Sequence, residues 1–596
     1  MINDRVNKLR KQMEKYEVDA YIVPNADPHQ SEYVPPAWKR RQWISGFTGS
    51  AGEVVITKNK ACLWADFRYH IQAEQELEGT DFILFKKGSL DVPELEDWLA
   101  KELYSGGQVG LDSMLFSYNR FRKLQERLKG QGIVINKIQT NLVDEIWQDQ
   151  PELPDAPIKP YPIEFSGVTV ESKLSQLREK MVSEKVDVNI ITNLDGIAWL
   201  YNIRGNDVNF TPVTIAYAAV TQSEAFLFVK LNKVTEEVRN HFGSLVTIED
   251  YDKFQGYLEK FTDSKARIWF DPDTVSQWVV DLSCQDCKHV FKPCPITLFK
   301  AIKNDIEVAG FRNAHIRDGC AMVRFLAWFD RAVIQEKVTE SQAAARVDME
   351  RAREALFKGP SFQAIAAYNE NAAIVHYKPN QKSNVTIKSP GILLIDSGGQ
   401  YLDGTTDITR TIAIGKPTKE QQEHFTRVLK GHLQLAMARF PRGTVGKQLD
   451  TLARKYLWDV GLNYGHGTGH GVGHYLNVHE GPQVLTYSRC TETPLEPGMI
   501  VSNEPGYYKE GHYGIRIESL VLTVKDDKLS SYADTPFYAF EILTLCPIDQ
   551  RLIDKRLLSV EEVEFLNTYH MRVKQTLLPL VNEEARVWLE NATQSI

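Results

Sequence analysis

A segment near residue 400 has the pattern of a β-hairpin that carries acidic residues on buried strands. The apolar run Gly391-Ile-Leu-Leu-Ile-Asp396 is followed by a glycine-rich turn and a second strand pattern that begins near Asp407. Asp396 and Asp407 lie symmetrically about positions 401–402, so an antiparallel hairpin would place them side by side on one face. Asp403 lies within the predicted turn, and we expect it to be a turn-forming residue.

The same arrangement recurs about a hundred residues later. Glu504 and Glu518 are symmetric about Gly511, and residues such as Val501 and Ile517 mark the flanking strands as buried. Like charges that face each other destabilise a sheet unless a positive group lies between them. Two such hairpins in one domain therefore predict a bound metal ion.

The segment between the two hairpins is rich in glycine and histidine. It reads Tyr464-Gly-His466-Gly-Thr-Gly-His470-Gly-Val-Gly-His474, and His479 follows shortly after. One imidazole added to four carboxylates gives five protein ligands, which suits two ions of manganese, cobalt or zinc. Spacing alone leaves open whether His466 or His470 is the ligand, and we expect His474 to be structural. The glycine pattern does not fit G-x-G-x-x-G, so a nucleotide site is not supported.

Composition excludes several classes of protein. The chain has 596 residues, 43% of them hydrophobic, and a net charge of −8, so it is predicted to be globular, with no general basic surface for nucleic acid. No apolar run approaches the roughly 18 residues of a membrane span. The first residues lack the apolar core of a secretory signal. Seven cysteines are too few for a disulfide scaffold, so we expect reduced thiols and a cytoplasmic location.

One cysteine cluster leaves a second metal site open. Cys284, Cys287, His289 and Cys294 lie within eleven residues of one another. The usual two-knuckle spacing of a zinc site is missing, and the sequence therefore favours free cysteines in a loop.

The first half of the chain contains a faint duplication. Leu9-Arg-Lys-Gln-Met13 recurs as Leu177-Arg-Glu-Lys-Met181, and Tyr21-Ile-Val-Pro-Asn25 recurs as Ile190-Ile-Thr-Asn193. Each copy has the pattern of an amphipathic helix followed by a buried strand. Two related α/β domains in tandem are predicted, with chance similarity as the alternative.

Prolines and helix patterns suggest the remaining organisation. The proline-rich segment 150–157 predicts a linker, and a long helix is predicted from about Asn304 to Gln335. Thr339-Glu-Ser-Gln342 is a capping box that predicts a second helix extending to about Lys358. Ser559-Val-Glu-Glu562 is another, before a helix that Pro579 ends. The predicted domains are residues 1–155, 156–300, 301–536 and 537–596.

Together these motifs resemble the pita-bread metallopeptidases, and among them the three-domain Xaa-Pro aminopeptidases. The resemblance covers nearly the whole chain, and its motifs are specific when they occur together in this order. The segments that carry it are Ser361-Phe-Gln with Ile374-Val-His376-Tyr-Lys-Pro379, Ile395-Asp-Ser-Gly through Arg410, Gly465 through Gly473, Asn477-Val-His479-Glu-Gly-Pro482, and Ser502-Asn-Glu504-Pro-Gly with Gly514-Ile-Arg-Ile-Glu518.

The resemblance implies a fold and a set of site residues. The fold would be a multidomain α/β (α+β) chain, with two tandem creatinase-like domains, a pita-bread catalytic domain and a C-terminal helical extension. The matching positions imply metal ligands at Asp396, Asp407, His470, Glu504 and Glu518, with Asp407 and Glu518 bridging. They imply non-ligand active-site histidines at His376, His466 and His479, with Glu504 also acting as a catalytic acid and His376 and His479 contacting substrate. Arg68 matches a substrate-binding arginine of the first domain.

The implied activity is release of the N-terminal residue from peptides with proline in second position, by a hydroxide bound to two metal ions. The resemblance further implies two manganese ions, with cobalt or zinc as alternatives, and a homodimer. Other readings are a prolidase restricted to Xaa-Pro dipeptides, a methionine aminopeptidase, or an inactive pita-bread module that binds peptides. Methionine aminopeptidases usually consist of one catalytic domain, and inactive modules have lost ligands, so the sequence favours the first activity.

Overall fold

The structure is a computed structural model that describes residues 1–261, 265–283, 287–335, 337–379, 383–488 and 492–596. The chain divides into two compact units. Unit one comprises Met1–Ile163 and Val168–Thr297, and unit two comprises Glu164–Gly167 and Leu298–Ile596. The four domain limits predicted from the sequence stay predictions.

Unit one contains two six-stranded mixed sheets with the same strand order. In spatial order, the first consists of Phe82–Lys86, Ala61–Ala65, Glu53–Thr57, Ala20–Pro24, Gln108–Leu111 and Val134–Lys137. The second consists of Thr247–Glu249, Ala225–Val229, Ala216–Thr221, Val188–Ile191, Arg267–Phe270 and Lys288–Phe291. In both sheets the third and fourth strands pair antiparallel and the fourth and fifth parallel. The predicted duplication is therefore confirmed in the topology.

The repeated helix of each sheet follows from the spacing of its apolar residues. Val6, Leu9 and Met13 are the buried face of Ile2–Lys15, and Leu174, Leu177 and Met181 lie on the buried face of Val170–Ser183. The further helices of unit one are Arg40–Ser45, His70–Leu77, Leu95–Glu102, Tyr118–Lys129, Leu194–Leu200, Glu236–Phe242, Phe254–Glu259 and Gln277–Leu282.

The first sheet is covered on both faces. Tyr21 and Val23 of its central strand pack in one apolar core, whereas Ala20 and Ile22 pack in another. Because successive side chains of a strand point to opposite faces, this alternation means that the strand is buried from both sides. Such a strand reads as a continuous apolar run, as Ala20–Pro24 does.

Unit two is built from four pieces of antiparallel sheet and a set of longer helices. A three-stranded sheet contains Ile365–Tyr368, Gly391–Ser397 and Ile408–Ile414. A six-stranded sheet contains, in order, Arg439–Pro441, Phe537–Ile542, Ser519–Lys525, Ile500–Asn503, Gly469–Gly471 and Glu480–Leu485. The two smaller pieces are Phe357–Pro360 with Gly399–Tyr401 and Gly404–Thr405, and the ribbon of Gly506–Lys509 with Tyr513–Arg516.

The helices of unit two pack on these sheets through two apolar cores. They are Asp305–Gln335, Glu340–Arg351, Lys419–Ala436, Gly446–Trp458, Val560–Leu577 and Glu583–Ala592. The short helix Asp527–Ser530 has no buried residue, and Pro295–Ala301 spans the division between the units. None of the helices in the described part of the chain is long and apolar enough to cross a bilayer.

The capping boxes start helices at the predicted positions. Thr339 and Gln342 form the reciprocal pair at the start of Glu340–Arg351, and Ser559 and Glu562 do so for the helix that ends at Leu577. The predicted extension of the earlier helix to Lys358 is wrong. That helix ends at Arg351, and Phe357–Pro360 pairs as a strand with Gly399–Tyr401.

The cysteine cluster splits into separate environments. Cys284 lies outside the described residues. The Cys287 thiol donates to the Phe261 carbonyl at 3.1 Å, and the Cys294 thiol lies 3.9 Å from Asn189 Oδ1. Among the described residues, the groups able to hold a metal ion include neither cysteine.

A close helix contact in unit two gives a stability prediction. Gly431 of Lys419–Ala436 faces helix Gly446–Trp458, and a Cβ at this position would overlap the Ala453 carbonyl. Gly431→Ala should therefore push the helices apart and cost about 1–3 kcal/mol of unfolding free energy. Gly256→Ala is the matched control, because a Cβ there has open space and alanine favours the helix. Thermal unfolding of both variants checks this, and equal midpoints would contradict it.

Candidate metal centre

The first hairpin brings two aspartates to one face, but in a different register from the one predicted. Asp396 pairs with Thr409, so Asp407 lies two residues away from the facing position. The direct opposition expected from sequence symmetry is therefore wrong. The ladder keeps one register as far as Tyr401 and Gly404, so the turn is centred between Leu402 and Asp403, one residue beyond the assumed centre. A shift of two residues preserves the face, because side chains alternate with a period of two.

The second hairpin has the predicted register. Asn503 pairs with Ser519, and Gly506 pairs with Arg516 in the continuing ribbon. Glu504 and Glu518 occupy the facing position between these pairs, which confirms the symmetry about Gly511. Gly511 itself has φ +71°, as the tight turn requires.

A glycine lets the histidine segment approach this hairpin. Gly469 begins a short strand in the six-stranded sheet, and a Cβ at this position would overlap the Ser502 carbonyl. The backbone N–H of His470 donates to Ser502 Oγ at 2.9 Å, and that of Glu504 donates to the Thr468 carbonyl at 2.8 Å. These contacts hold the His470 side chain beside Glu504.

The side chains of both hairpins and of His470 converge. His470 Nε2 lies 3.4 Å from Asp407 Oδ2 and 3.7 Å from Glu504 Oε1. Three overlapping groups have ligand atoms within 4.8 Å of one another, and they are Asp396–Asp407–Glu518, His470–Glu504–Glu518 and Asp407–His470–His479. All five predicted ligands therefore share one site.

Two imidazoles lie at this site, and their surroundings differ. The rings of His470 and His479 have centroids 4.2 Å apart at an interplanar angle of 83°. His470 shares a group with Glu504 and Glu518, whereas His479 shares one only with Asp407 and His470. His470 is thus the imidazole that lies where the two hairpins meet.

The electrostatics of the protein groups favour a cation at this position. Burial and the repulsion of Asp407 and Glu504 raise the pKa of Glu518 well above its ordinary value. Burial also raises the pKa of Asp396 and of Glu504. Asp396 Oδ1 and Asp407 Oδ1 are buried and accept no hydrogen bond from the described residues. A divalent ion would satisfy these oxygens and allow the carboxylates to ionise together.

The imidazole of His470 responds to the same field. Burial disfavours its charged form, but the contact with Asp407 and the charge of Glu504 outweigh burial and raise its pKa to about 9. The donor set is carboxylate oxygen and imidazole nitrogen without thiolate, which fits manganese, cobalt or zinc. The residues present therefore fit a centre of two divalent ions.

Arg516 and Tyr508 are site residues for which the sequence predicted no role. Arg516 donates to Asp396 Oδ2 at 2.5 Å and to the Tyr508 hydroxyl at 2.6 Å. The same hydroxyl lies 2.8 Å from His466 Nε2. The sequence held one signal for Arg516, because a residue two positions before Glu518 on a strand lies on the same face.

The remaining histidines of the sequence motifs have different surroundings. His466 Nδ1 is 3.9 Å from Glu504 Oε2, and its other ring nitrogen is bound to Tyr508. His376 is half-buried in the turn after the 3₁₀ helix Asn369–Ala373. His474 is buried, 4.0 Å from Glu307 Oε1, and packs on Phe311, in agreement with a structural role.

Asp403 and Arg68, like His376, His466 and His474, lie outside the ligand groups. Asp403 lies in the turn, as expected, and forms an ion pair with Arg317. Arg68 lies in unit one and pairs with Asp66 at 2.7 Å. Its substrate-binding role stays a prediction.

Models of known protein families match most of the chain. The model of metallopeptidase family M24 matches residues 309–525, and the C-terminal region of peptidase_M24 matches residues 536–596. Two models of the creatinase/prolidase N-terminal domain match residues 5–142 and 149–307. Each sheet of unit one thus falls within one match.

Relatives match over the full length. A probable Xaa-Pro aminopeptidase P of Aspergillus fumigatus is 40% identical and aligns over 99% of this chain and 92% of its own. The crystal structure of an X-prolyl aminopeptidase from Caenorhabditis elegans, described as a cytosolic enzyme with a di-nuclear active site, is 36% identical. It covers 100% of both chains with a TM-score of 0.97. An Xaa-Pro dipeptidase from Bacillus anthracis, 22% identical with a TM-score of 0.51, shares the fold over 64% of this chain.

The geometry predicts stabilisation by divalent ions. A ligand that binds only the folded state stabilises it, by about 2.7 kcal/mol at a hundredfold excess over Kd. Mn²⁺ should therefore raise the thermal midpoint, and Asp407→Asn should abolish most of that rise. Asp403→Asn is the matched control, because Asp403 pairs with Arg317 and lies outside the ligand groups. Equal responses of the two variants in a thermal-shift titration would refute the site.

Proposed function

The chain belongs to metallopeptidase family M24, and from this premise we propose that it is an aminopeptidase that releases the N-terminal residue from peptides with proline in second position. The observation that carries the proposal is the convergence of the five predicted ligands, Asp396, Asp407, His470, Glu504 and Glu518, on one site. Relatives named Xaa-Pro aminopeptidase P at about 40% identity over the whole chain support this substrate class.

The alternatives have less support. The Xaa-Pro dipeptidase with the same fold corresponds to 64% of this chain, whereas the Xaa-Pro aminopeptidases match it from end to end. An inactive peptide-binding module would have no need for a complete ligand set. All five side chains are present here, and two of their buried oxygens accept no hydrogen bond from the described part of the chain.

The proposed centre holds two divalent ions, most simply Mn²⁺, with Co²⁺ or Zn²⁺ as alternatives. Asp396, Asp407, His470, Glu504 and Glu518 would hold the pair, with Asp407 and Glu518 bridging. Two such ions supply Lewis acidity and lower the pKa of water towards neutrality. The positive charge of Arg516 helps to keep Asp396 ionised, because it counters the rise in the pKa of Asp396 that burial causes.

The chain's own groups have distinct tasks in the proposed reaction. Glu504 lies 3.7 Å from His470 and 3.9 Å from His466, so its carboxyl group is placed at the centre to take the proton of the attacking water and pass it to the leaving proline nitrogen. That nitrogen needs a proton because an unprotonated amide nitrogen is a poor leaving group. His376 and His479 would donate hydrogen bonds to the oxygen on which negative charge develops. His466, bound to Tyr508, would support the orientation of this network.

Assembly and location are part of the same proposal. The related Caenorhabditis elegans enzyme is described as cytosolic and di-nuclear, and this description supports a cytoplasmic enzyme with two ions. The partners would be proline-containing peptides and a second copy of the chain. A net charge of −8 gives no general surface for nucleic acid.

A substrate comparison tests the activity. The Mn²⁺-loaded protein should cleave the first bond of peptides such as Arg-Pro-Pro and release free arginine, measured by chromatography of the products. An Arg-Ala-Pro peptide should remain intact, and removal of the metal with a chelator should abolish cleavage. Hydrolysis confined to Xaa-Pro dipeptides would favour the prolidase, and no hydrolysis of either would favour the binding module.

A histidine series tests the roles of the imidazoles. His470→Ala should lose metal, because His470 shares a group with Glu504 and Glu518. His376→Ala and His479→Ala should retain metal and lower kcat by about 10²–10³, the usual effect of removing a donor to a developing oxyanion. His466→Ala should retain metal with a similar or milder loss. Metal content by elemental analysis and kcat are measured on each variant, and metal loss in His466→Ala but not His470→Ala would exchange the two roles.

A further inference from the structure

The segment that carries His376 has little regular structure of its own. It leaves the strand Ile365–Tyr368, forms the five-residue 3₁₀ helix Asn369–Ala373 and continues as a turn through His376. A turn of this kind needs side-chain contacts to hold one conformation, because few backbone hydrogen bonds are available within it. One buried carboxylate supplies several of the contacts that fix this segment.

That carboxylate belongs to Glu340, which has 0% exposure at the start of the helix Glu340–Arg351. Its Oε1 accepts from the Tyr368 backbone N–H at 2.7 Å and from Asn371 Nδ2 at 2.9 Å. Its Oε2 accepts from the Tyr377 hydroxyl at 2.8 Å and from the Val385 backbone N–H at 3.2 Å. Donors from before and after His376 thus meet on a single side chain.

Local helix stability does not account for this burial. Acidic residues are favourable in the first turn of a helix, but an exposed side chain supplies that effect equally well. The helix start is already capped by the reciprocal pair of Thr339 and Gln342. The Glu340 side chain instead reaches the His376 segment, where it contacts its beginning and the residue that follows His376.

The His376 segment also touches the metal centre. Arg516, which binds Asp396, approaches the Val375 carbonyl at 3.4 Å. Gly514 packs against the Ala372 carbonyl so closely that a Cβ at this position would overlap it. A shift of the segment would therefore change where the His376 imidazole lies relative to Asp396 and the second hairpin.

We propose that Glu340 is a positioning residue that fixes the His376 imidazole at the active site by binding Tyr368, Asn371, Tyr377 and Val385 together. The proposal rests on the proposed function of His376. Glu340 itself contacts neither the ligand groups nor, in this account, the substrate, and it acts through the segment that it holds.

The first experiment is Glu340→Gln in the full-length, metal-loaded protein. A carboxamide has the same size as the carboxylate, but it has one acceptor oxygen instead of two, so some of the hydrogen bonds that Glu340 accepts are lost. Misplacement of a catalytic group by about 1 Å typically lowers the reaction rate on the order of 10²-fold. We expect kcat for an Xaa-Pro peptide to fall roughly 10- to 100-fold, with metal content unchanged and KM changed less than kcat.

Glu350→Gln is the matched control. Glu350 lies on the same helix, is also 0% exposed, and binds Arg324, Arg346 and Arg353 instead of the His376 segment. This variant should lose stability but keep kcat within about twofold. A general effect of losing a buried charge would lower kcat in both variants and would overturn the proposal.

A double-mutant cycle with His376→Ala identifies the route of action. If Glu340 acts through His376, adding Glu340→Gln to His376→Ala should cause no further loss of kcat. Independent, multiplicative losses would overturn the proposal. Should Glu340→Gln fail to fold, Tyr377→Phe is the second variant, because it removes the hydroxyl that donates to Glu340. It should also lower kcat, and it can be combined with His376→Ala in the same double-mutant cycle. Full activity in a folded Glu340→Gln or Tyr377→Phe variant would also overturn it.

The cycle separates this proposal from the proposed function. Wild-type kcat in His376→Ala would remove the catalytic role assigned to that histidine, and with it the role of Glu340. A large loss in His376→Ala combined with normal kcat in Glu340→Gln would leave the proposed function intact and reject only the positioning role.

Discussion

Repulsion among four clustered carboxylates, three of them buried, is the constraint on which the arrangement of unit two depends. Asp396, Asp407, Glu504 and Glu518 belong to groups whose ligand atoms lie within 4.8 Å of one another, and burial together with mutual repulsion raises the pKa of Glu518 well above its ordinary value. Placing these groups together is favourable only when positive charge compensates them. Arg516 supplies one such charge from the protein, and the proposed metal ions supply the rest.

This constraint explains where glycine is required. The strand of His470 approaches that of Ser502 because residue 469 has no side chain, and the ribbon approaches the His376 segment because residue 514 has none. In both places the close packing of backbones brings a histidine towards the acidic residues. The rigidity of the site therefore comes from neighbouring strands, and for the His376 segment from the Glu340 carboxylate.

Sequence patterns predicted much of this organisation, and their failures have physical causes. The facing pair Glu504 and Glu518 followed from symmetry, since a single glycine turn sets the register. The same reasoning misplaced Asp407 by two residues, because the first turn is centred between Leu402 and Asp403, one residue beyond the midpoint of the two aspartates. Glu340 could not be found from the sequence, because its contacts lie 28 to 45 residues away and follow no local period. Local sequence patterns predicted the helices and strands, whereas the long-range contacts that align the site could be found only in the tertiary structure.

The order of the ligands along the chain has a consequence for biosynthesis. Asp396 is on a strand of one sheet and Glu518 on the hairpin that continues another, and the helices that bury both sheets extend to Ala592. A ribosome would therefore have to translate as far as Glu518 before the last ligand emerged, and as far as Ala592 before the surrounding core could close. A nascent or truncated chain would lack the complete centre. Metal binding by the complete centre would therefore have to follow translation of the second hairpin.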